Sequence, residues 1–143
     1  MIINIRHTGI VVNDLSLMTQ FYINLGFQKF ISGNEKGEFI DNVTGLNNVD
    51  LEWVKLKSQD GQLLELLKYH SHPDDNIPNL RKSNKHGCSH VAFTVENSEN
   101  FCELIKKNGG SIINKPAISL DEKVKVSYCH DPEGVLMEVV EIL

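Results

Sequence analysis

The sequence predicts an α+β fold made of two copies of one β-α-β-β-β unit. Three observations lead there. Apolar residues alternate or run together in short stretches, as in strands, and recur at helical spacing in two others. Turn residues separate these stretches. The order of elements in residues 1–69 then returns in residues 87–143, so the chain carries an internal repeat.

In the first half, "INIRHTGIVV" alternates and then runs apolar, as a half-buried strand does. "NDLSLMTQFYINLG" follows, with Leu15, Met18, Phe21, Tyr22 and Leu25 on a helical period, Asp14 placed to cap its start and Gly26 its end. "FQKFIS" reads as the next strand. "VDLEWVKLK" and "QLLELLKY" read as two more, joined through "SQDG", whose Asp60-Gly61 is a hairpin signal. In the second half, "CSHVAFTV" is the strand and "NSENFCELIKKNGG" the helix with its terminal glycines. "SIINKP" is a short strand, and "KVKVSYCH" and "GVLMEVVEIL" flank the turn "DPEG". Gly26 stands 19 residues after His7, and Gly109 stands 19 after His90. The expected organisation is a single domain, 1–143, with one module over about 1–69, a polar, proline-bearing linker over about 70–86 and a second module over about 87–143.

A chain of 143 residues, 41% of them hydrophobic, is long enough to enclose a site. Its formal net charge of −5 and lack of a basic face argue against nucleic acid as a partner. No apolar run approaches the roughly 20 residues of a membrane span, and no signal-like start is visible, so a cytoplasmic protein is expected. Cys88, Cys102 and Cys129 match no zinc spacing and are expected to be reduced thiols in or near the core.

The repeat aligns four residues that bear chemistry. His7 and His90 head the first strand of each half, and Glu65 and Glu138 lie in the last, in "LLELL" and "LMEVV". Strand alternation gives each glutamate apolar neighbours two positions away on its own face. An unpaired carboxylate there is costly, whereas a divalent cation would satisfy both acids and both histidines. Two imidazoles and two carboxylates suit zinc, nickel, cobalt, manganese or ferrous iron. A single histidine or glutamate in a strand is ordinarily structural or solvated; the argument rests on the repetition. By the same reasoning His70, His72 and His86 are expected in solvent, Cys129 and His130 in packing or a turn hydrogen bond, and Glu141 on the surface, facing away from Glu138.

"HTGIVVNDL…FYINLGF", "LLELL", "GCSHVAFTVEN" and "YCHDPEGVLMEVVE" together resemble the vicinal oxygen chelate superfamily, which includes glyoxalase I and methylmalonyl-CoA epimerase. The resemblance implies paired βαβββ modules whose curled mixed sheets form a cup, one divalent ion per site, and ligands at His7, Glu65, His90 and Glu138. It also implies a homodimer acting on a small carbonyl or thioester substrate. The expected function is that of a metal-dependent isomerase, epimerase or lyase, with Glu138 as ligand and base and Glu65 as the second catalytic glutamate. The alternative is a small-ligand binding or resistance protein without turnover. Epimerases place a further glutamate before the third strand. Here Leu46 and Asn47 stand in that segment, with Asp41 the displaced acid. Glyoxalase I usually carries an arginine shortly after its first histidine, where Val11 stands here.

Overall fold

Parallel pairing of the first strand with the last organises each half of the chain. The computed structural model describes residues 1–74 and 80–143, which fall into two units, Met1–Asp75 and Asn76–Leu143.

In the first unit, β1 (Thr8–Val11) leads into α1 (Leu15–Asn24), β2 (Gln28–Lys36), α2 (Glu38–Thr44), β3 (Asp50–Lys57) and β4 (Leu63–Tyr69). The sheet order is β1-β4-β3-β2, with β1 parallel to β4 and the other pairs antiparallel. Asp14 caps α1 as expected, accepting from the Leu17 N–H at 2.9 Å, and Gly26 takes a left-handed φ of 110° after its end. Helix α1 packs on β3 and β4. It buries Met18, Phe21 and Tyr22, while Val54, Leu56, Leu64 and Leu66 are the buried positions of those two strands. Each such burial is worth about 1.5–3 kcal/mol. Strand alternation sends Lys55 and Glu65 to the other face. The far end of that face holds the cluster of Ile40, Val49 and Leu51 with Trp53, Leu67 and Tyr69, closed by α2. Gly33 lies opposite Trp53; a Cβ there would stand 2.6 Å from the indole, so only glycine lets the ring lie flat on β2.

The second unit runs β5 (Val91–Val95), α3 (Ser98–Lys107), β6 (Ser111–Ile112), β7 (Ala117–Ile118), β8 (Val124–His130) and β9 (Leu136–Ile142). The order β5-β9-β8-β6, with β5 parallel to β9, repeats the first sheet; β7 is an extra pairing on β8. Helix α3 packs on β6, β8 and β9, and Cys102, Ile105, Cys129, Met137 and Val139 are buried. Burial pushes the Cys129 thiol up to about 12. The turn after β8 is held by Asp131, whose Oδ1 accepts the Glu133 and Val135 N–H groups at 3.0 and 2.9 Å. The fold is therefore α+β, with two mixed sheets and no closed barrel among the described residues. Among the described residues no helix is long and apolar enough to cross a membrane.

Several expectations change. The strand read over 3–12 shrinks to Thr8–Val11 because its partner β4 begins at Leu63, which leaves residues 1–6 without a ladder and exposed. Helix α2 was not expected: it has only seven residues and starts at Gly37 without a side-chain cap. Cys88 is exposed, unlike Cys102 and Cys129. Glu141 does face away from Glu138, but not into solvent: its Oε2 accepts from the Ser98 N–H at 2.7 Å and Oγ at 2.6 Å, anchoring the start of α3. Residues 75–79 of the linker lie outside the described residues.

Candidate functional site

The four residues singled out by the repeat form two pairs, one in each unit. Each histidine sits one residue before the first strand of its unit, and the parallel ladder carries the last strand alongside. Gly9 pairs with Glu65 and Ala92 with Glu138, so each histidine stands two residues before its glutamate's register partner. His7 Nε2 is 2.9 Å from Glu65 Oε2, and His90 Nε2 is 3.2 Å from Glu138 Oε2. All four side chains are partly exposed, from 12% for Glu65 to 29% for His7. The structure thus joins His7 with Glu65 and His90 with Glu138. Among the described residues no group of three or more His, Cys, Asp or Glu side chains gathers at one point.

Each glutamate also has a cross-strand neighbour that sequence reasoning weighed too lightly. Lys55 pairs in register with Glu65, and Tyr128 with Glu138. Lys55 Nζ is 3.2 Å from Glu65 Oε1 and 4.7 Å from the centroid of the Trp53 ring. Tyr128 stands edge-on to His90, with ring centroids 5.3 Å apart, and its hydroxyl is 3.5 Å from His90 Nδ1. Burial, then the Glu138 charge, raises the Tyr128 phenol above its ordinary value, which keeps it a protonated donor. A signal for both was present: each stands ten residues before its glutamate across a hairpin.

The donor set fits a divalent metal. An imidazole nitrogen and a carboxylate oxygen facing each other are donor types that borderline divalent metals accept. His7 Nδ1, moreover, is buried with no hydrogen-bond partner among the described residues, an uncompensated polar atom of the kind that collects near functional sites.

The remaining candidates have structural partners. Both oxygens of Asp41 accept backbone N–H groups, from Asn48 at 2.9 Å and Val49 at 2.8 Å, so this acid fastens the loop after α2. His130 is buried and its Nε2 donates to the Arg81 carbonyl at 2.8 Å. His70 is exposed and pairs with Glu52 at 2.9 Å; His72 Nδ1 is 2.7 Å from Ser71 Oγ. His86 is exposed, as expected.

The sequence profile of the Glyoxalase/Bleomycin resistance protein/Dioxygenase superfamily matches residues 4–139. A lactoylglutathione lyase of Salmonella typhimurium is 24% identical over 135 residues, which is 94% of this chain and 90% of that protein. Among solved structures, a glyoxalase family protein from Bacillus cereus superposes with a TM-score of 0.91 at 24% identity, over 100% of this chain and 96% of that one. A fosfomycin resistance protein from Listeria monocytogenes gives 0.65 at 16% identity, over 100% and 96% of the two chains.

Proposed function

Since this chain belongs to the Glyoxalase/Bleomycin resistance protein/Dioxygenase superfamily, we propose that it is a divalent-metal-dependent isomerase, epimerase or lyase. It would move a proton on the carbon beside a carbonyl of a small compound or thioester. The observation that carries this reading is the histidine–glutamate pair repeated in the same parallel register in both units. His7, Glu65, His90 and Glu138 would be the ligands, with zinc, nickel, cobalt, manganese or iron as the ion. When bound, such an ion supplies Lewis-acid stabilisation of negative charge on the carbonyl oxygen.

The residues divide the remaining work. Glu65 has one oxygen on His7 and the other on Lys55, so it is held on both sides. Glu138 is paired with His90 through one oxygen and has a phenol, not a cation, as cross-strand neighbour. Glu138, with a phenol in place of an ammonium beside it, is therefore the carboxylate assigned to take the proton from carbon and return it, with Glu65 the second glutamate. Two-base epimerisation lacks its second acid before β3, because Asp41 is committed to backbone N–H groups. That favours a single-base lyase or isomerase, in keeping with the lactoylglutathione lyase relative.

The test is turnover by the metal-loaded protein of the hemithioacetal of methylglyoxal and glutathione, with methylmalonyl-CoA in parallel. Turnover of either, abolished in Glu138→Gln, supports the reading, and preference for the hemithioacetal supports the single-base form. Binding of both without turnover would replace the enzyme with a ligand-binding protein.

A further inference from the structure

Charge is unevenly distributed along this chain. Its net charge is −5, yet residues 76–95 contain no aspartate or glutamate, and within them Arg81, Lys82 and Lys85 stand together, followed by His86. This segment belongs to the second unit and is pinned to it at three points. The Arg81 N–H donates to the Gly134 carbonyl at 3.3 Å, the buried His130 donates to the Arg81 carbonyl at 2.8 Å, and Ser89 Oγ donates to the Ser83 carbonyl at 2.8 Å. His130 thus serves as the buried anchor of a charged loop. The Lys85 N–H closes a turn on the Lys82 carbonyl at 3.2 Å, which holds the Cα atoms of the two lysines within about 7 Å. Arg81 Nη2 reaches the far end of this turn and donates to the His86 carbonyl at 3.3 Å. The next residue is Gly87, at a left-handed φ of 105°, where a Cβ would stand 3.5 Å from the same Nη2.

Three cations gathered in one turn repel one another unless an anion joins them. None of the three forms an ion pair among the described residues. Arg81 is half-buried, and its Nε is shut off from solvent with no hydrogen-bond partner among the described residues. The turn on which the loop docks carries two acids, but Asp131 is buried with its Oδ1 on two backbone N–H groups, and Glu133 pairs with none of the three cations. We infer that the turn bearing Arg81, Lys82 and Lys85 is a binding site for the phosphoryl group of a small molecule. A phosphate dianion offers several acceptor oxygens to a guanidinium and two ammonium groups at once, whereas a long polyanion is disfavoured by the chain's net charge of −5. The site adjoins the second histidine–glutamate pair, because the Ser89 Oγ that holds Ser83 also stands 3.2 Å from His90 Nδ1. Free phosphate and the phosphorylated tail of an organic ligand present the same group to this turn. The inference lies within one unit and needs neither a bound metal nor turnover, so it stands apart from the ligand set proposed above.

The probes are inorganic phosphate, dihydroxyacetone phosphate and dihydroxyacetone, each titrated into the full chain at low ionic strength, where screening is weakest. Binding is followed by calorimetry and by the backbone amide resonances of residues 81–87. Both phosphates should bind and shift those amides, and dihydroxyacetone should leave them in place. The double variant Lys82→Ala/Lys85→Ala, at two exposed positions, should weaken phosphate binding at least about tenfold. Lys106→Ala/Lys107→Ala, which removes the same charge from the exposed end of α3 in the same unit, should not. Tighter binding of dihydroxyacetone phosphate than of inorganic phosphate supports the site as one for a phosphorylated tail, and equal binding supports it as one for free phosphate. Equal loss in the two double variants, amide shifts confined to other residues, or no binding of either phosphate at millimolar concentration would overturn the inference.

Discussion

The two units repeat one plan, and their differences separate what the fold requires from what the chemistry adds. Both place a histidine just before the first strand and a glutamate on the last, joined at 2.9 and 3.2 Å. Only the first adds a lysine to the glutamate and closes the far end of that face with a helix. Among its described residues the second has no such helix, and it puts a phenol beside its glutamate. The pairing follows from topology, since parallel first and last strands bring these positions together wherever the unit is built. The lysine and the phenol are side-chain choices that topology does not dictate, and they make the two glutamates unequal.

The sharpest way to break that inequality is to neutralise each glutamate in turn. Glu138→Gln should lower turnover at least about a hundredfold, the scale of a lost general base. Glu65→Gln, which leaves Glu138 in place, should act mainly through weakened metal binding; equal effects on turnover at saturating metal would show that the two carboxylates share the proton transfer.

The hairpin turns give a second contrast. Asp131 is buried and satisfies two backbone N–H groups, so Asp131→Ala should cost about 1–3 kcal/mol of stability by strand-turn loss and unsatisfied donors. Asp60, in the matching turn of the first unit, is exposed and accepts from Ser58 Oγ and the Gln62 N–H. Its replacement should be nearly silent in the same thermal melt. Asp41→Ala comes next, at about 0.5–1.5 kcal/mol for its exposed and half-buried bonds. It should leave turnover per folded molecule intact; loss of activity without loss of stability would restore Asp41 as a second base.

The smallest effect concerns acid. The Ser98 hydroxyl, and after it the Ser98 N–H, hold the Glu141 carboxyl below its ordinary value of 4.5. A carboxylate depressed in the folded state contributes stability in full above its unfolded value and loses it as pH falls through the folded one. Melts of Glu141→Gln and wild type should therefore differ at neutral pH and converge as the pH drops below about 4.5. A constant gap would mean that the contact does not depend on the charge.

Most of the fold was legible because local signals agreed with one another. Asp14 and Gly26 bracket α1, Asp60-Gly61 and "DPEG" mark the hairpins, and the interval from His7 to Gly26 recurs from His90 to Gly109. What was not legible depended on partners elsewhere. β1 is short because β4 starts late, and α2 is held by three buried residues and the Asp41 loop, not by a periodic face. Glu141 was misjudged because parity gives the face a side chain takes and not what waits there, in this case the start of α3. Lys55 was missed for a related reason. Its importance lies across a hairpin, and a lysine in an alternating strand reads as a solvated position until its register partner is known.

Metal binding tests the central claim most directly. Elemental analysis of the purified, untagged protein would be followed by isothermal titration of the demetallated form with nickel, cobalt, zinc and manganese. The account predicts about one tightly held ion per chain, with affinity reduced at least about tenfold in both His7→Ala and His90→Ala. No bound metal under any condition, or full occupancy in His90→Ala, would contradict it and return His90 to a structural role.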